Sequence, residues 1–263
     1  MREYPCSLTD SEWEVLRPLL PDCPTGLRGR PREHSRRQIL NGILYIIRTG
    51  GAWRLMPHDL PHWKTCYHYF RIWAKQGHWE RIHHAIRDLA RLKLGKKKAP
   101  TAAILDSQSV RTASQPGLRG FDAGKKITGR KRHVLVDTCG FILVLKVTPA
   151  DVQDRDGARL LLPCLTTTFG WLKRIWADGG YAGQLEGEVA RLPRHRQIDL
   201  EIVKRSDDIK GFRVLPRRWV VERTFSWLIQ SRRLIRDHEV KIEHSEAFIY
   251  LSMIKRMLAR IAA

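Results

Sequence analysis

Two short apolar runs each stop at an aspartate, AAILD at Asp106 and RIWAD at Asp178. In an open sheet the carboxyl ends of parallel strands border the crevice where ligands bind, so a pair of acids there has the makings of a hard-metal site. Aspartate also opens turns after strands on its own account, and the pair alone does not separate the two readings. A third acid, Glu222, lies in PRRWVVERTFSWLIQSRR, a helical pattern with Val221, Phe225 and Leu228 to one side and Val220, Trp227 and Leu234 to the other. A carboxylate between apolar flanks is expected to be buried with a partner, and Arg218 is one helical turn away. Together Asp106, Asp178 and Glu222 meet the needs of two-metal phosphoryl chemistry. Oxygens ionised at neutral pH would hold two Mg²⁺ or Mn²⁺ ions, one activating water or a 3′-hydroxyl and the other stabilising the leaving oxygen. Between the first two acids, GFDAGKKITGRKRH offers Lys125, Lys126, Arg130, Lys131 and Arg132 as phosphate contacts.

The composition leans the same way. The 263 residues carry 48 Lys and Arg against 27 Asp and Glu, a formal charge of +21, and such an excess implies a polyanionic partner. Hydrophobic residues make up 43% and there are nine Trp, which excludes a disordered basic tail. Five Cys, with no C-x-x-C pair, exclude a zinc ribbon or a dithiol redox motif and predict reduced thiols. MREYPCSLTDSEWEVL lacks the pattern of a secretory signal, and the longest apolar stretch, around Ile43–Ile47, is far short of a membrane span. A cytoplasmic protein with no membrane partner is expected.

These side chains need elements to hold them. From Leu8 to about Leu94 the pattern is helical: Thr9 or Ser11 caps a helix through Trp13, Leu16 and Leu20; Ile39, Ile43, Ile46 and Ile47 recur at helical spacing; and the segment from His62 onward divides at Gly77. LGKKKAP then changes the periodicity. This predicts a helical domain over 1–94, a basic linker over 95–100 and a second domain over 101–263. In the second, TAAILDSQSV, RHVLVDTCG, FILVLKVTPA, LKRIWADGG and IDLEIVKR read as strands, with helices between the later ones. Cys139–Gly140 suits a hairpin, making its two strands antiparallel. The result is an α/β domain, a mixed sheet flanked by helices, closed by a carboxyl-terminal helix over HSEAFIYLSMIKRMLARIAA.

Other motifs are weaker. GFDAGKK has three residues between its glycines where a phosphate loop has four, and Lys126 where Ser or Thr is needed, so no nucleotide cofactor is expected. Asp154 or Asp156 in DVQDRDG is expected to cap the next helix. His62, Cys66 and His68 lack a second Cys/His pair at zinc spacing and are assigned to packing and phosphate contacts. The helix Arg36–Arg48, a Gly-containing turn and the helix His62–Gln76 suggest a helix-turn-helix whose second helix presents Lys64, Tyr67, His68 and Arg71 to DNA.

In this order and spacing, LDSQSV, FDAGKKITGRKRHVLVDT, PADVQDRDGA, WADGGYAG and LPRRWVVERTFSWL resemble the DDE transposases of bacterial insertion sequences, in the group named for insertion sequence five. The similarity also takes in SLTDSEWEVLRPLLP and GGAWRLMPHDLPHWKTCYHYFRIW near the amino terminus. It implies an RNase H-like catalytic fold with Asp106, Asp178 and Glu222 as the acidic triad, and an amino-terminal part that binds terminal repeats. In wider relatives the glutamate lies in a Tyr-x2-Arg-x3-Glu-x6-Lys signature. Arg218 and Glu222 match it, Leu215 stands in the Tyr position and Ile229 in that of the Lys, and Arg232 and Arg233 follow one turn later as replacements in holding the transposon end. Only 43 residues separate Asp178 from Glu222, too few for a large insertion domain.

The resemblance implies double-stranded DNA, both element ends and target, as partner, a homodimer or higher assembly on DNA, and association with the bacterial nucleoid. Two other readings stay open on the sequence: a catalytically inactive DNA-binding regulator, motivated by Leu215 and Ile229, and an RNase H-like nuclease without strand transfer.

Overall fold

The structure is a computed structural model that describes residues 4–21, 33–114, 117–192, 198–203 and 218–263. Leu215 and most of the basic connection before His34 lie outside the described residues.

Four helices come first: α1 (Asp10–Leu16), α2 (Arg36–Thr49), α3 (Trp63–Lys75) and α4 (His78–Lys93). Their limits follow local chemistry. The Thr9 and Ser35 hydroxyls each accept the backbone N–H three residues on, while Glu12 and Gln38 return a bond to the cap, closing two capping boxes. Gly50, at φ 74°, ends α2 in the left-handed conformation that a side chain would strain. Gly77 separates α3 from α4 where the spacing predicts a break. The connection between α2 and α3 is longer than that of a simple helix-turn-helix. It runs through 50–62 and contains a short 3₁₀ turn at Trp53–Leu55, where that motif uses about 3–4 residues.

The sheet follows: β1 (Ala102–Arg111), β2 (Gly120–Asp122), β3 (Ile127–Asp137), β4 (Ile142–Pro149), β5 (Arg174–Ala177) and β6 (Asp199–Ile202). β3 lies between β4 and β1 and is antiparallel to both, β5 and β6 extend the sheet parallel to β1, and the short β2 pairs with the start of β3. The hairpin at Cys139–Gly140 turns through Gly140 at φ 85°. Helices α5 (Asp154–Arg159), α6 (Leu162–Thr167) and α7 (Gln184–Ala190) lie between β4 and β6, followed by α8 (Trp219–Ile229) and α9 (Ile242–Ala262). The one helix expected from RDGARLLLPCL is two, because Pro163 can only start a helix. β2, three residues long, is too short to carry a pattern.

Strand alternation divides the interior into two cores. Ala103, Leu105, Leu135 and Leu143 face α5–α7, whereas Ile104, Val134, Val136 and Ile142 face α8, α9 and the amino-terminal helices. The second core does not stop at the linker. Phe248 of α9 stacks on Phe70 of α3 at 4.3 Å, and Lys255 of α9 pairs with the buried Glu12 of α1. The helical half thus shares one apolar core with the sheet, and α9 is its keystone. Among the described residues no helix is long and apolar enough to cross a membrane.

Candidate active site

β1 and β5 are paired in parallel as far as Ile104 and Trp176, and two residues beyond these lie Asp106 and Asp178. Adjacent strands about 4.8 Å apart therefore deliver the two carboxylates side by side at the carboxyl end of the sheet. Asp106 shares the strand face of Ile104, toward α8, from which Arg218 reaches in. Its guanidinium lies 3.3 Å from Asp178 Oδ2 and 3.9 Å from Asp106 Oδ2. Among the described residues the buried Arg218 Nε–H has no hydrogen-bond partner. Asp106 accepts the Ser107 N–H at 2.7 Å, and Asp178 caps the turn at Gly179–Tyr181 by accepting the Gly180 N–H.

Burial pushes the Asp106 carboxyl up to about 6; the Ser107 N–H opposes this, the Asp178 charge adds to it, and Arg218 and Lys125 pull back. Two like charges held close need a cation between them, and Arg218 supplies part of one. The buried Tyr181 ring lies in the same field: burial, Asp106 and Asp154 hold its phenol well above the ordinary value, and therefore neutral.

Glu222 departs from expectation. α8 buries Val220, Val221, Thr224, Phe225, Trp227 and Leu228, which leaves Glu222, Ser226 and Ile229 as a narrow exposed stripe. The flanks are apolar, but the glutamate looks out between them. Among the described residues no three His, Cys, Asp or Glu side chains are gathered as a metal site, so the structure assembles Asp106 and Asp178 and leaves Glu222 apart, on the helix that carries Arg218.

The basic run before β3 also divides. Lys125 and Lys126 are exposed in the turn after β2, close enough for Lys125 to act on Asp106. Arg130, Lys131 and Arg132 are instead buried and do not offer their charges to phosphates. Alternation sends Arg130 to Asp237 and the Val240 carbonyl and Arg132 to the Leu234 carbonyl, on one face of the sheet. Lys131 goes to the other face, between Asp154 at 2.9 Å and Asp122 at 3.5 Å. Burial pushes the Arg132 guanidinium down to about 10, partly offset by Asp237. Asp154 is not a helix cap: it accepts from the Ser107 hydroxyl at 2.7 Å and pairs with Lys131, while Asp156 pairs with Arg159. Ser107, Asp154 and Lys131, with Ser109 and Asp122, form a polar network directly beneath Asp106. The side-chain period of two along β1 was the signal available for it.

A groove of about 1160 Å³ runs between α3 and the segment before α9. Lys64, Tyr67, His68 and Arg71 line it from α3; His238, Lys241 and His244 line it from the other side. Phe70 and Trp73 of the same helix belong to the core, and Cys66 is fully buried. Arg233 is at the groove floor but committed, bonded to Glu239 and to the Gly51 carbonyl and set over the Phe248 ring, so it is a structural tie; Arg232 is exposed.

Both halves of the chain are similar to known proteins. Residues 8–83 match the family model described as "Putative transposase of IS4/5 family", and residues 97–258 match the family "Transposase DDE domain". The "Insertion element IS402 uncharacterized 16.2 kDa protein" of Burkholderia cepacia is 32% identical over 108 residues, 40% of this chain and 72% of that protein. The "Putative transposase for insertion sequence element IS402" of the same organism is 32% identical over 130 residues, 47% of this chain and 60% of the relative. "Uncharacterized protein y4sN" of Sinorhizobium fredii is 33% identical over 70 residues, 27% of this chain and 54% of that protein. No solved structure matches the chain. Paired acids at the ends of parallel strands, preceded by a helical region, are accounted for by one conclusion: the chain belongs to the DDE transposases of the IS4/5 type.

Proposed function

We propose that this transposase binds the terminal inverted repeats of its insertion sequence, hydrolyses phosphodiester bonds there to free 3′-hydroxyls, and directs those hydroxyls at target DNA. The observation that carries the reading is the side-by-side placement of Asp106 and Asp178 around one guanidinium. The family implies dependence on a divalent metal, and the residues present fit one: two hard oxygen donors, adjacent, with Asp106 pushed up in a way that a nearby divalent charge would reverse. Asp106 and Asp178 would hold such ions, Mg²⁺ or Mn²⁺ and two in number, and Glu222 would be the third carboxylate of the set. When bound, the ions supply electrophilic activation of the attacking oxygen and charge neutralisation at the leaving one. Arg218 keeps the acid pair together in the free protein and is a cation within reach of a phosphate oxygen bound there. Lys125 and Lys126 neutralise the backbone beside the scissile bond, and Arg232 does so from the turn that follows α8. Lys64, Tyr67, His68 and Arg71, across the groove from His238 and Lys241, hold the element end. At least two copies act together, because two ends must be joined.

The test is cleavage and joining on a labelled duplex carrying the element's own end, with Mg²⁺ or Mn²⁺, for the wild type, Asp106→Asn and Glu222→Gln. Wild type should cut and join, and both variants should bind without cutting. Binding without cutting by all three under either metal would establish the regulator instead, and cutting without joining a nuclease.

A further inference from the structure

A second concentration of positive charge lies on the side of α8 that faces α9. The guanidinium carbons of Arg223, Arg256 and Arg260 sit 4.7, 4.2 and 4.7 Å from the ring centroid of Trp227, and Arg223 is also 4.4 Å from that of Trp219. Three cations around one indole gain from the ring's electron-rich face, but they repel one another. Among the described residues none of the three has a carboxylate in salt-bridge range. The Asp137 charge acts on Arg223, yet that carboxylate is bound by Arg91. Their hydrogen-bond partners are neutral: Arg223 donates to the Cys139 carbonyl at 3.0 Å and Arg256 to Gln230 Oε1 at 2.9 Å. The Nε–H groups of both are buried with no partner at all. Burial, and then Arg260 and Arg223, push the Arg256 guanidinium down to about 10, the mark of a cation that lacks an anion.

Beside the cluster is a cavity of about 410 Å³, lined by Arg48, Trp227, Gln230, Lys255, Arg256 and Arg260. Of its cations, Lys255 is already paired with Glu12, whereas Arg48 donates only to the Gln230 carbonyl at 2.7 Å. Planar donor forks with neutral acceptors only, among the described residues, match the oxygens of a phosphodiester. Trp219, exposed beside Arg223, adds a flat face for a sugar or base edge, while the buried Trp227 ring holds the guanidinium groups in place. The cavity adjoins the α3 groove, since Arg48 and Gly50, at the end of α2, line the one and the other.

We propose that Arg223, Arg256 and Arg260 around Trp227, with Arg48 at the rim, form a separate DNA-phosphate site that holds the duplex backbone beyond the α3 groove. The inference rests on the reading that duplex DNA is the substrate. It is tested on the full chain by fluorescence anisotropy with a labelled random-sequence duplex over a range of NaCl, comparing wild type with Arg256→Gln/Arg260→Gln and with Lys64→Gln/Arg71→Gln. The first variant should weaken binding at least about tenfold and reduce the slope of log K against log[salt] by about 2, one contact for each lost charge. A folded variant, judged by circular dichroism and melting, that keeps the wild-type slope overturns the proposal. If the variant does not fold, butanedione modification of the wild type decides: duplex DNA should slow modification of Arg256 and Arg260, and equal modification with and without bound DNA overturns the site. Protection by inorganic phosphate but not by the duplex also overturns it. Failure of wild type to bind any duplex, with Lys64→Gln/Arg71→Gln indistinguishable from it, removes the functional reading itself.

Discussion

Asp106 and Asp122 sit on opposite faces of the same sheet and titrate in opposite directions. Asp106 is held beside Asp178 with a guanidinium at 3.9 Å, and is pushed up to about 6. For Asp122 burial works the same way, but the Ser109 hydroxyl, the Lys125 N–H and the Lys131 ammonium outweigh it and hold the carboxyl at about 2. The distance between these environments is small: Asp106 and Ser109 are three residues apart on β1. One carboxylate is fully satisfied by the protein. The other is kept short of partners, at some cost to stability, and is therefore available to something that arrives from outside. The satisfied network supports the unsatisfied pair, because Ser107, next to Asp106, is tied through Asp154 to the same Lys131.

The largest expected effect tests the unsatisfied side. Asp106→Asn should lower cleavage by roughly 10³-fold or more, since metal-based stabilisation is worth several kcal/mol, while thermal melting is unchanged or raised; a variant that melts lower and keeps activity would invert the contrast. On the satisfied side, Lys131→Met leaves the buried Asp122 and the half-buried Asp154 without their cation and should cost about 3 kcal/mol by urea denaturation at pH 7. A pH series sharpens the difference. Because the folded-state value of Asp122 is depressed, its contribution is present above the ordinary carboxylate value and is lost as the pH falls toward about 2. Wild type minus Asp122→Asn should accordingly lose on the order of 2 kcal/mol between pH 5 and pH 2. Asp106 works with the opposite sign: raised when folded, it destabilises above about 6 and stops doing so as the pH falls. Smallest is Ser109→Ala, which removes one donor to Asp122 and should cost about 1.5 kcal/mol; a null result would mean that Lys131 and the Lys125 N–H suffice to hold this carboxylate.

The positions of Asp106 and Asp178 were legible because they depend on local events, a β-branched run and the turn that ends it. The helix limits at Thr9 and Gly77 were legible for the same reason. Arg130 and Arg132 were not, since a basic run reads as surface, and the groups that bury it, Asp237 and the carbonyls of Leu234 and Val240, lie roughly a hundred residues later in the chain. Glu222 lies between these cases. The apolar flanks suggested burial, yet the helical period already placed Glu222, Ser226 and Ile229 on a single stripe, and that stripe is the exposed one. The linker at 95–100 marks a true change of secondary structure but not a boundary of the core, because nothing local announces that α9 packs against α4 and α3.

That last contact orders events in time. The helical segment that leaves the ribosome first cannot bury Phe70, Glu12 or the apolar faces of α3 and α4 until α9 has been synthesised and has returned to meet them. A nascent chain halted near the linker would expose a sticky, half-finished bundle. The groove between α3 and the segment before α9 does not exist before translation of that segment. If the groove holds an element end as proposed, that grip comes only once the segment before α9 has been made, after the acid pair, so that a product truncated earlier would hold no element end in competition with the longer chain.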